Sequence, residues 1–224
     1  MPARMLRQVL VQTPVNDDPV LLDVGSGGLG VATFLKGVRA IGIDRAQPTN
    51  VCDGLVFHQG DITALPYLDK SFPVVSCIDV LEHLSLGARE AAIGELVRVA
   101  SHAVLIACPH GETARECDEA FRRACEARGR DIPGWLAEHQ TQSYPVGAQI
   151  LRDLHKAAIS SGRVASISLS YSEPASVCRA VRAAAARSNF LYIATNLVLG
   201  TLFSFMHSPD AENSYRVIAL AELT

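Results

Sequence analysis

The sequence predicts an α/β protein in which a doubly wound, mainly parallel sheet is covered by helices on both faces. Short apolar runs rich in Val, Ile and Leu alternate with segments of helical periodicity. The chain has 224 residues, of which 49% are hydrophobic, so it can bury a large core in one domain. Seven apolar runs are predicted as strands, at 20–24, 40–44, 54–58, 74–78, 103–107, 164–170 and 215–220.

Helices are predicted between these strands from apolar spacing and from residues that cap helix ends. One helix is expected at 30–36, directly after the first strand, and Ser85 is expected to cap another. A third helix should cover 145–161 and end at Gly162, since glycine favours the left-handed conformation found after helix ends. A weaker helical pattern covers 1–12.

Two segments, 109–144 and 173–211, are longer than simple crossovers and are predicted to form helical cap insertions. The core of the single domain would then comprise about 18–110 and 145–224. The first insertion should contain a helix over 113–128 that covers the carboxyl edge of the fifth strand.

The most apolar stretch of the chain is 190–206. It falls short of the roughly 20 apolar residues that a bilayer-spanning helix needs, so no transmembrane segment is predicted. A buried or pocket-lining helix is favoured, with contact to a membrane surface or a lipid substrate as the alternative.

The formal net charge of −3 gives no basic field that would favour nucleic acid as a partner. The densest basic run, 122–130, is interleaved with acidic residues and follows Asp118, which indicates a solvated helix face. Six cysteines without a CxxC pair, and no signal peptide, predict reduced thiols and a cytoplasmic location. The spacing of the histidines and cysteines over 102–117 matches no common zinc pattern, so no metal site is predicted.

A glycine-rich loop follows the first predicted strand, with glycines at positions 25, 27 and 30. Glycines permit a tight turn and a close ligand approach, and a following helix would add free N–H groups. The spacing fits the dinucleotide fingerprint and therefore both NAD and S-adenosylmethionine (SAM). Asp44, 20 residues after Val24 at the end of the second strand, can accept hydrogen bonds from both ribose hydroxyls of either cofactor.

Three further features favour SAM. Asp23, two residues before Gly25, would repel a pyrophosphate but attract the ammonium group of a methionine moiety. Asp61 follows the third strand, where its carboxylate can accept the adenine amino group while a backbone N–H meets a ring nitrogen. The segment 79–83, DVLEH, closes the fourth strand at the edge where open α/β sheets bind ligands.

The segments LLDVGSGG, IGID, QGDI, SFPVVSCIDVLEHL and VLIACP, spread over about 20–110, resemble the ordered motifs of class I SAM-dependent methyltransferases, particularly the type 11 group. The resemblance implies a Rossmann-like sheet of seven strands in the order 3-2-1-4-5-7-6, with the last strand antiparallel. Two departures are Leu29, where the family has its third glycine, and Pro73, where it has an acid.

The resemblance also assigns residues to the parts of SAM. Its cofactor contacts would be Asp23, Gly25, Ser26 and Gly27 at the methionine, Asp44 with Arg45 at the ribose, Asp61 and Ile62 at the adenine, and Asp79 and Val80 near the sulfonium. His83 would lie at the substrate entrance, and the product would be S-adenosyl-L-homocysteine.

The segment 134–139, GWLAEH, resembles a Trp-x-x-Glu-His segment of some bacterial type 11 enzymes that are often associated with glycan or cell-envelope products. Methyl transfer mainly needs orientation and exclusion of water, and a base is needed only for some acceptors. The candidate bases are His83, His110, Glu138 and His139, and for each of them a structural role is the alternative.

These features together predict a SAM-dependent methyltransferase that acts on a small-molecule, glycan or lipid-linked acceptor. The literal glycine fingerprint leaves a NAD-dependent oxidoreductase as one alternative. The other is a non-catalytic SAM-fold protein that acts through partners, with 190–206 as its interface and a second copy of the chain among its partners.

Overall fold

A computed structural model describes residues 2–12, 20–35, 37–139, 141–188, 207–208 and 211–224. The strands among the described residues form a single eight-stranded sheet. The strands are β1 (Val20–Val24), β2 (Arg39–Asp44), β3 (Leu55–Gln59), β4 (Phe72–Ile78), β5 (Ala100–Pro109), β6 (Ala165–Pro174), β7 (His207–Ser208) and β8 (Ser214–Leu223).

The strand order is β3-β2-β1-β4-β5-β8-β6-β7. Strands β1 to β5 pair in parallel, whereas β8 is antiparallel to both of its neighbours, β5 and β6. When the two-residue strand β7 at the edge is set aside, the seven long strands have the order 3-2-1-4-5-7-6 with the last one antiparallel. The predicted topology is confirmed.

The helices are α1 (Pro2–Gln12), α2 (Leu86–Val99), α3 (Gly111–Glu126), α4 (Gly134–His139), α5 (Gly147–Ser160) and α6 (Ala175–Arg187). Ser85 caps α2 as predicted, because its side chain accepts a hydrogen bond from the amide of Ala88. Gly162 follows α5 with a φ of +68°, as expected for a helix end.

The predicted helix at 30–36 is wrong. A four-residue 3₁₀ turn, Val31–Phe34, occupies its place. The amide of Val38 donates to the carbonyl of Leu35, and Gly37 follows the turn with a φ of +81°. These tight local bonds end the turn before an α-helix can propagate, and short helical segments have little stability of their own.

Helices cover both faces of the sheet, as the strand pattern predicted. Successive side chains of a strand point to opposite faces. Leu22 of β1 packs with Ile93 of α2 and Leu154 of α5, whereas Leu21 packs on the other face with Leu6 of α1. The two cores therefore fix the register of β1 from both sides.

Helices α3, α4 and α6 pack together, and α3 and α6 also contact β8. Phe121 of α3 lies in a buried cluster with Leu136 of α4 and Ala186 of α6. The helix predicted over 113–128 is present, but it begins and ends two residues early, and Arg128 is exposed beyond its end. The division into a core and two caps stays a prediction.

The apolar stretch 190–206 lies outside the described residues, so the predicted buried or pocket-lining helix stays a prediction. In the described part of the chain, no helix combines the length and the apolar character needed to cross a bilayer.

Candidate active site

The glycine-rich loop after β1 packs tightly on one side and is open on the other. Gly25 and Gly27 have φ values of +77° and +52°, which side-chain-bearing residues rarely adopt. The amide of Gly25 donates to the carbonyl of Ile43 at 2.7 Å, and a Cβ atom on Gly25 would overlap Cγ2 of Val80. A Cβ atom on Gly27 would meet nothing within 4 Å. The open face of the loop is therefore at Gly27.

The loop explains why Leu29 can replace the expected third glycine. Its side chain is 65% exposed, and its φ is not positive. The close backbone approach occurs one residue earlier, where a Cβ atom on Gly28 would overlap the carbonyl oxygen of Asn50. The amide of Cys52 also donates to the carbonyl of Gly28 at 2.8 Å. The loop therefore packs against the segment that follows β2, and this packing requires a glycine at position 28 and not at position 29.

Asp23 holds this loop in place. Its side chain is 2% exposed, and its two oxygens accept hydrogen bonds from the amide of Val31 and the hydroxyl of Ser76, both at 2.7 Å. Burial raises the pKa of Asp23 to about 6, against the opposing effect of these two hydrogen bonds. Its predicted contact with an ammonium group stays a prediction, since here the carboxylate bonds to the loop and to β4.

Asp44 lies beside the open face of the loop. The amide of Gly27 donates to its Oδ2 at 3.0 Å, and the amide of Ala46 donates to its Oδ1 at 3.1 Å. The side chain of the next residue, Arg45, is exposed, and its carbonyl accepts from Gln59 Nε2 at the end of β3. A carboxylate at the end of β2 and a glycine amide at the end of β1 therefore face the same space.

The end of β3 adds a second exposed carboxylate at this edge. Oδ1 of Asp61 accepts from both the amide and the hydroxyl of Thr63, at 2.8 and 2.7 Å. These hydrogen bonds, with the charge of Arg45, lower the pKa of Asp61 and keep it ionised. The side chain of Ile62 is buried in the core, so only its backbone can face a ligand.

Asp79 directly follows β4 and lies in the left-handed region, with a φ of +56°. Its carboxylate forms an ion pair with Arg216 of β8, whose Nε also donates to Glu173 Oε1 at 2.9 Å. Burial alone would lower the pKa of Arg216, but the charges of Asp79 and Glu173 hold it well above its usual value. A residue other than glycine keeps such a strained conformation only where surrounding contacts enforce it. Residues of this kind cluster at functional sites.

Sequence reasoning missed Arg216. The signal was a single arginine in an otherwise apolar strand, because a guanidinium there must find carboxylate partners when it is buried. The sequence around β8 does not indicate those partners, which lie at the ends of β4 and β6.

The 3₁₀ turn Leu81–His83 and the end of α4 bring three of the four candidate bases together. The rings of His83 and His139 are 4.8 Å apart between centroids, and Nδ1 of His83 lies 2.9 Å from Oε2 of Glu138. Oε1 of Glu82 lies 3.9 Å from Nε2 of His139. We call Glu82, His83 and His139 the Glu–His–His cluster.

The environment of this cluster perturbs its titrating groups. Burial, and then the charge of Asp79, raise the pKa of Glu82 to about 8. Burial lowers the pKa of both histidines, and the neighbouring His139 lowers that of His83 further, against the opposing charge of Glu138. Both imidazoles are therefore neutral near pH 7.

His139 is oriented from behind by Asp118, whose Oδ2 lies 2.8 Å from Nδ1 of the ring. The hydroxyls of Tyr144 and Tyr215 donate to the same carboxylate at 2.6 and 3.1 Å, and Arg182 forms an ion pair with it. The expectation that Asp118 lies on a solvated helix face is wrong, because its side chain is fully buried. Its partners come from α4, α6 and β8, which the local charge pattern did not reveal.

His110 lies apart from the other candidate bases. Its Nδ1 accepts a hydrogen bond from the amide of Gly147 at 3.2 Å, and its ring packs 5.4 Å from that of Tyr171. In the neutral ring the proton must then be on Nε2. Neutral His110 thus has no ring nitrogen left to accept a proton, which favours its structural alternative.

A cavity of about 290 Å³ lies between α2 and α5. Its lining includes Leu81 and Tyr144, which adjoin the Glu–His–His cluster and the Asp118 hydrogen bonds, together with Arg89. None of the predicted cofactor contacts lines it. The cavity is therefore separate from the glycine loop and borders the cluster.

Comparison with known proteins agrees with this architecture. Residues 22–130 match the family model described as a methyltransferase domain. A SAM-dependent methyltransferase from Archaeoglobus fulgidus is similar with a TM-score of 0.55 and 14% identity, over 99% of this chain and 92% of the other. Phosphoethanolamine N-methyltransferase 2 from Haemonchus contortus, solved in complex with SAM, gives the same TM-score and identity over 99% of this chain and 52% of the other. The [4+2]-cyclase SpnF is similar with a TM-score of 0.55 and 16% identity, over 98% and 80%.

Proposed function

We propose that the chain is a SAM-dependent methyltransferase that methylates a hydroxyl group of a small-molecule, glycan or lipid-linked acceptor, because residues 22–130 match a methyltransferase domain and the sheet has the order of class I SAM-dependent methyltransferases. The likeness to a cyclase is a reminder that one fold hosts several reactions, so the acceptor must be argued from the site.

The proposed cofactor site rests mainly on the hydrogen bond between the amide of Gly27 and the carboxylate of Asp44 at the open face of the loop. An adenosine ribose has two hydroxyls that can donate to the carboxylate of Asp44. Asp61 and the backbone of Ile62 then face the adenine, with Arg45 beside the ribose. Gly25, Ser26 and Gly27 border the methionine part. Bound SAM supplies an activated methyl group on a sulfonium and is left as S-adenosylhomocysteine.

The acceptor would approach over Asp79, Val80 and the Glu–His–His cluster. Val80 packs against Gly25, so this segment adjoins the loop, and Asp79 is held by Arg216. A neutral imidazole next to a carboxylate can accept a proton from the acceptor group. A hydroxyl acceptor must lose such a proton, so the cluster favours a hydroxyl. The bordering cavity, with an apolar wall and Arg89, is where the remainder of the acceptor would lie.

The cofactor assignment is tested by calorimetric titration of the purified protein with SAM and with NAD. Asp44→Ala should weaken SAM binding tenfold or more, because losing a charged hydrogen-bond acceptor costs about 1.5 to 3 kcal/mol. Asp131→Ala removes an exposed carboxylate after α3 and should leave the affinity unchanged. Equal affinities of the two variants would refute the ribose assignment, and NAD binding in place of SAM binding would refute the function.

The acceptor class is tested with SAM that carries a labelled methyl group. Transfer should occur to hydroxyl-bearing glycans or lipid-linked sugars and should disappear when the hydroxyl is replaced by hydrogen. Persistent labelling at nitrogen or carbon would contradict the hydroxyl assignment and leave the cofactor site untouched.

A further inference from the structure

We propose that the Glu–His–His cluster binds one divalent first-row transition metal ion. One potential ligand atom from each of Glu82, His83 and His139 lies within 4.8 Å of the others. Two of these residues come from the turn after β4 and the third from the end of α4. The fold thus joins ligands that are more than 50 positions apart in the sequence.

The strongest sign of a missing partner is Glu82. Its side chain is 2% exposed, and its Oε2 has no hydrogen-bond partner among the described residues. A buried carboxylate oxygen without a partner is strongly unfavourable, and such groups are rare in native proteins. A cation in the cluster would satisfy it.

The separation of Glu82 and His139 fits two metal ligands better than it fits a hydrogen bond. Glu82 Oε1 and His139 Nε2 are 3.9 Å apart, which is too long for a hydrogen bond. Two atoms that ligate one ion at roughly 2.1 Å in tetrahedral geometry would be about 3.4 Å apart. A small contraction would therefore bring this pair onto a shared ion.

The carboxylate behind His139 is also typical of a metal-binding histidine. Metal-binding histidines usually interact through the other ring nitrogen with a carboxylate, which fixes the tautomer and the ring orientation. Asp118 meets Nδ1 of His139 in this way. Glu138 Oε2 lies 2.9 Å from Nδ1 of His83, but in an orientation that leaves this nitrogen without a hydrogen bond among the described residues. Asp118 is itself held by Tyr144 and Tyr215.

Two imidazoles and one carboxylate define the class of ion. This set suits zinc, iron, cobalt or manganese, whereas calcium and magnesium prefer oxygen ligands throughout. Three protein ligands leave at least one coordination position open to water or substrate.

The role of the ion rests on the proposed function. An acceptor hydroxyl at the open position would have its pKa lowered and would lose its proton to water. Its oxygen would then form a bond to the methyl carbon as the carbon–sulfur bond breaks and both electrons of that bond go to sulfur. The ion would thus do at neutral pH what a general base would otherwise do.

The test uses the full chain, freed of metal by dialysis against a chelator. Calorimetric titration with Zn²⁺ or Co²⁺ should show one site per chain, and Mg²⁺ should bind at least tenfold more weakly. Bound Co²⁺ should give visible bands of nitrogen and oxygen coordination. A thiolate-to-cobalt charge-transfer band would place the ion on cysteine and overturn the proposal.

Variants locate the site. Glu82→Gln and His139→Gln should each weaken Zn²⁺ binding at least tenfold, and His83→Gln serves if either variant fails to fold. His155→Gln alters an exposed histidine of α5 and should bind Zn²⁺ like the unchanged protein. Unchanged Zn²⁺ affinity in all three cluster variants, or no Zn²⁺ and Co²⁺ binding by the unchanged chain, would overturn the proposal.

SAM titration of the same samples separates this inference from the proposed function. SAM binding without metal binding would leave the methyltransferase site standing and refute the metal site. Metal binding without SAM binding would support the metal site and refute its role in methyl transfer.

Discussion

The carboxylate of Asp118 and the guanidinium of Arg182 form a buried ion pair between α3 and α6. Their side chains are 1% and 14% exposed, and Arg182 lies 4.3 Å from the ring centroid of Tyr215 on β8. Taking two charges out of water is unfavourable unless other hydrogen bonds complete the site. Tyr144, Tyr215 and His139 provide that completion, so one carboxylate links three helices to the sheet.

Asp118→Ala should lower the free energy of unfolding by about 3 to 5 kcal/mol, because it leaves Arg182 buried without its partner. Urea unfolding measures this change. Glu126→Ala is the matched control, since Glu126 lies on the same helix in an exposed ion pair with Arg122, and exposed pairs contribute little. Similar losses in the two variants would show that the buried pair does not stabilise the cap.

Gly27→Ala should weaken SAM binding tenfold or more, while its effect on stability should be limited to the strain of the left-handed backbone. The new methyl group would meet no protein atom but would enter the open face beside Asp44. The left-handed backbone adds about 1 to 2 kcal/mol of strain. Gly129→Ala has the same φ sign and the same open surroundings after α3, so it isolates that strain. Equal SAM affinity in both variants would mean that the cofactor does not approach Gly27.

Gly25→Ala should be more destabilising than Gly27→Ala, because its Cβ atom would overlap Val80. Overpacking of this kind costs about 1 to 3 kcal/mol beyond the backbone strain. Shortening the neighbour in the double variant Gly25→Ala/Val80→Ala should recover part of that loss. Thermal unfolding of the two single variants and the double variant gives the coupling, and strictly additive losses would argue against the contact.

Asp23 should make the fold less stable as the pH rises from about 4 to about 6. Its carboxyl has a pKa of about 6 in the folded chain and an ordinary value, near 3.9, when unfolded. Between these values the folded state holds the proton that the unfolded state releases, so stability falls with pH and levels off above about 6. Asp23→Asn should remove up to about 3 kcal/mol of this dependence. Urea unfolding at pH 4, 5, 6 and 7 compares the two proteins, and parallel pH curves would contradict the prediction.

The sheet could be predicted because its signals are local. The alternation that places Leu21 and Leu22 in different cores is visible in the sequence, and the ordered motifs implied the strand order. The helix at 30–36 failed because tight turns around the glycine loop outweigh helical periodicity there. The position of the loop could be predicted from the sequence. That Gly28, rather than residue 29, makes the close backbone approach could not.

Three of the candidate bases singled out from the sequence lie together in the structure, and their roles stay predictions. His83, Glu138 and His139 do meet, since the turn after β4 and the end of α4 converge. Asp118 and Arg216 were missed because their partners are remote in sequence: those of Asp118 include residues of α6 and β8, and those of Arg216 lie at the ends of β4 and β6. Charge patterns along one helix or strand carry no information about such partners.

The position of β8 between β5 and β6 has a consequence for synthesis of the chain. Residues 23–83 leave the ribosome early, yet the arginine that holds Asp79 arrives only with β8. Until residue 216 has emerged, β5 and β6 lack the strand that joins them and Asp79 lacks its cation. The nascent chain therefore has its motifs long before this ion pair can form, and translation that stops before β8 yields a protein with the motifs but with Asp79 unpaired from Arg216.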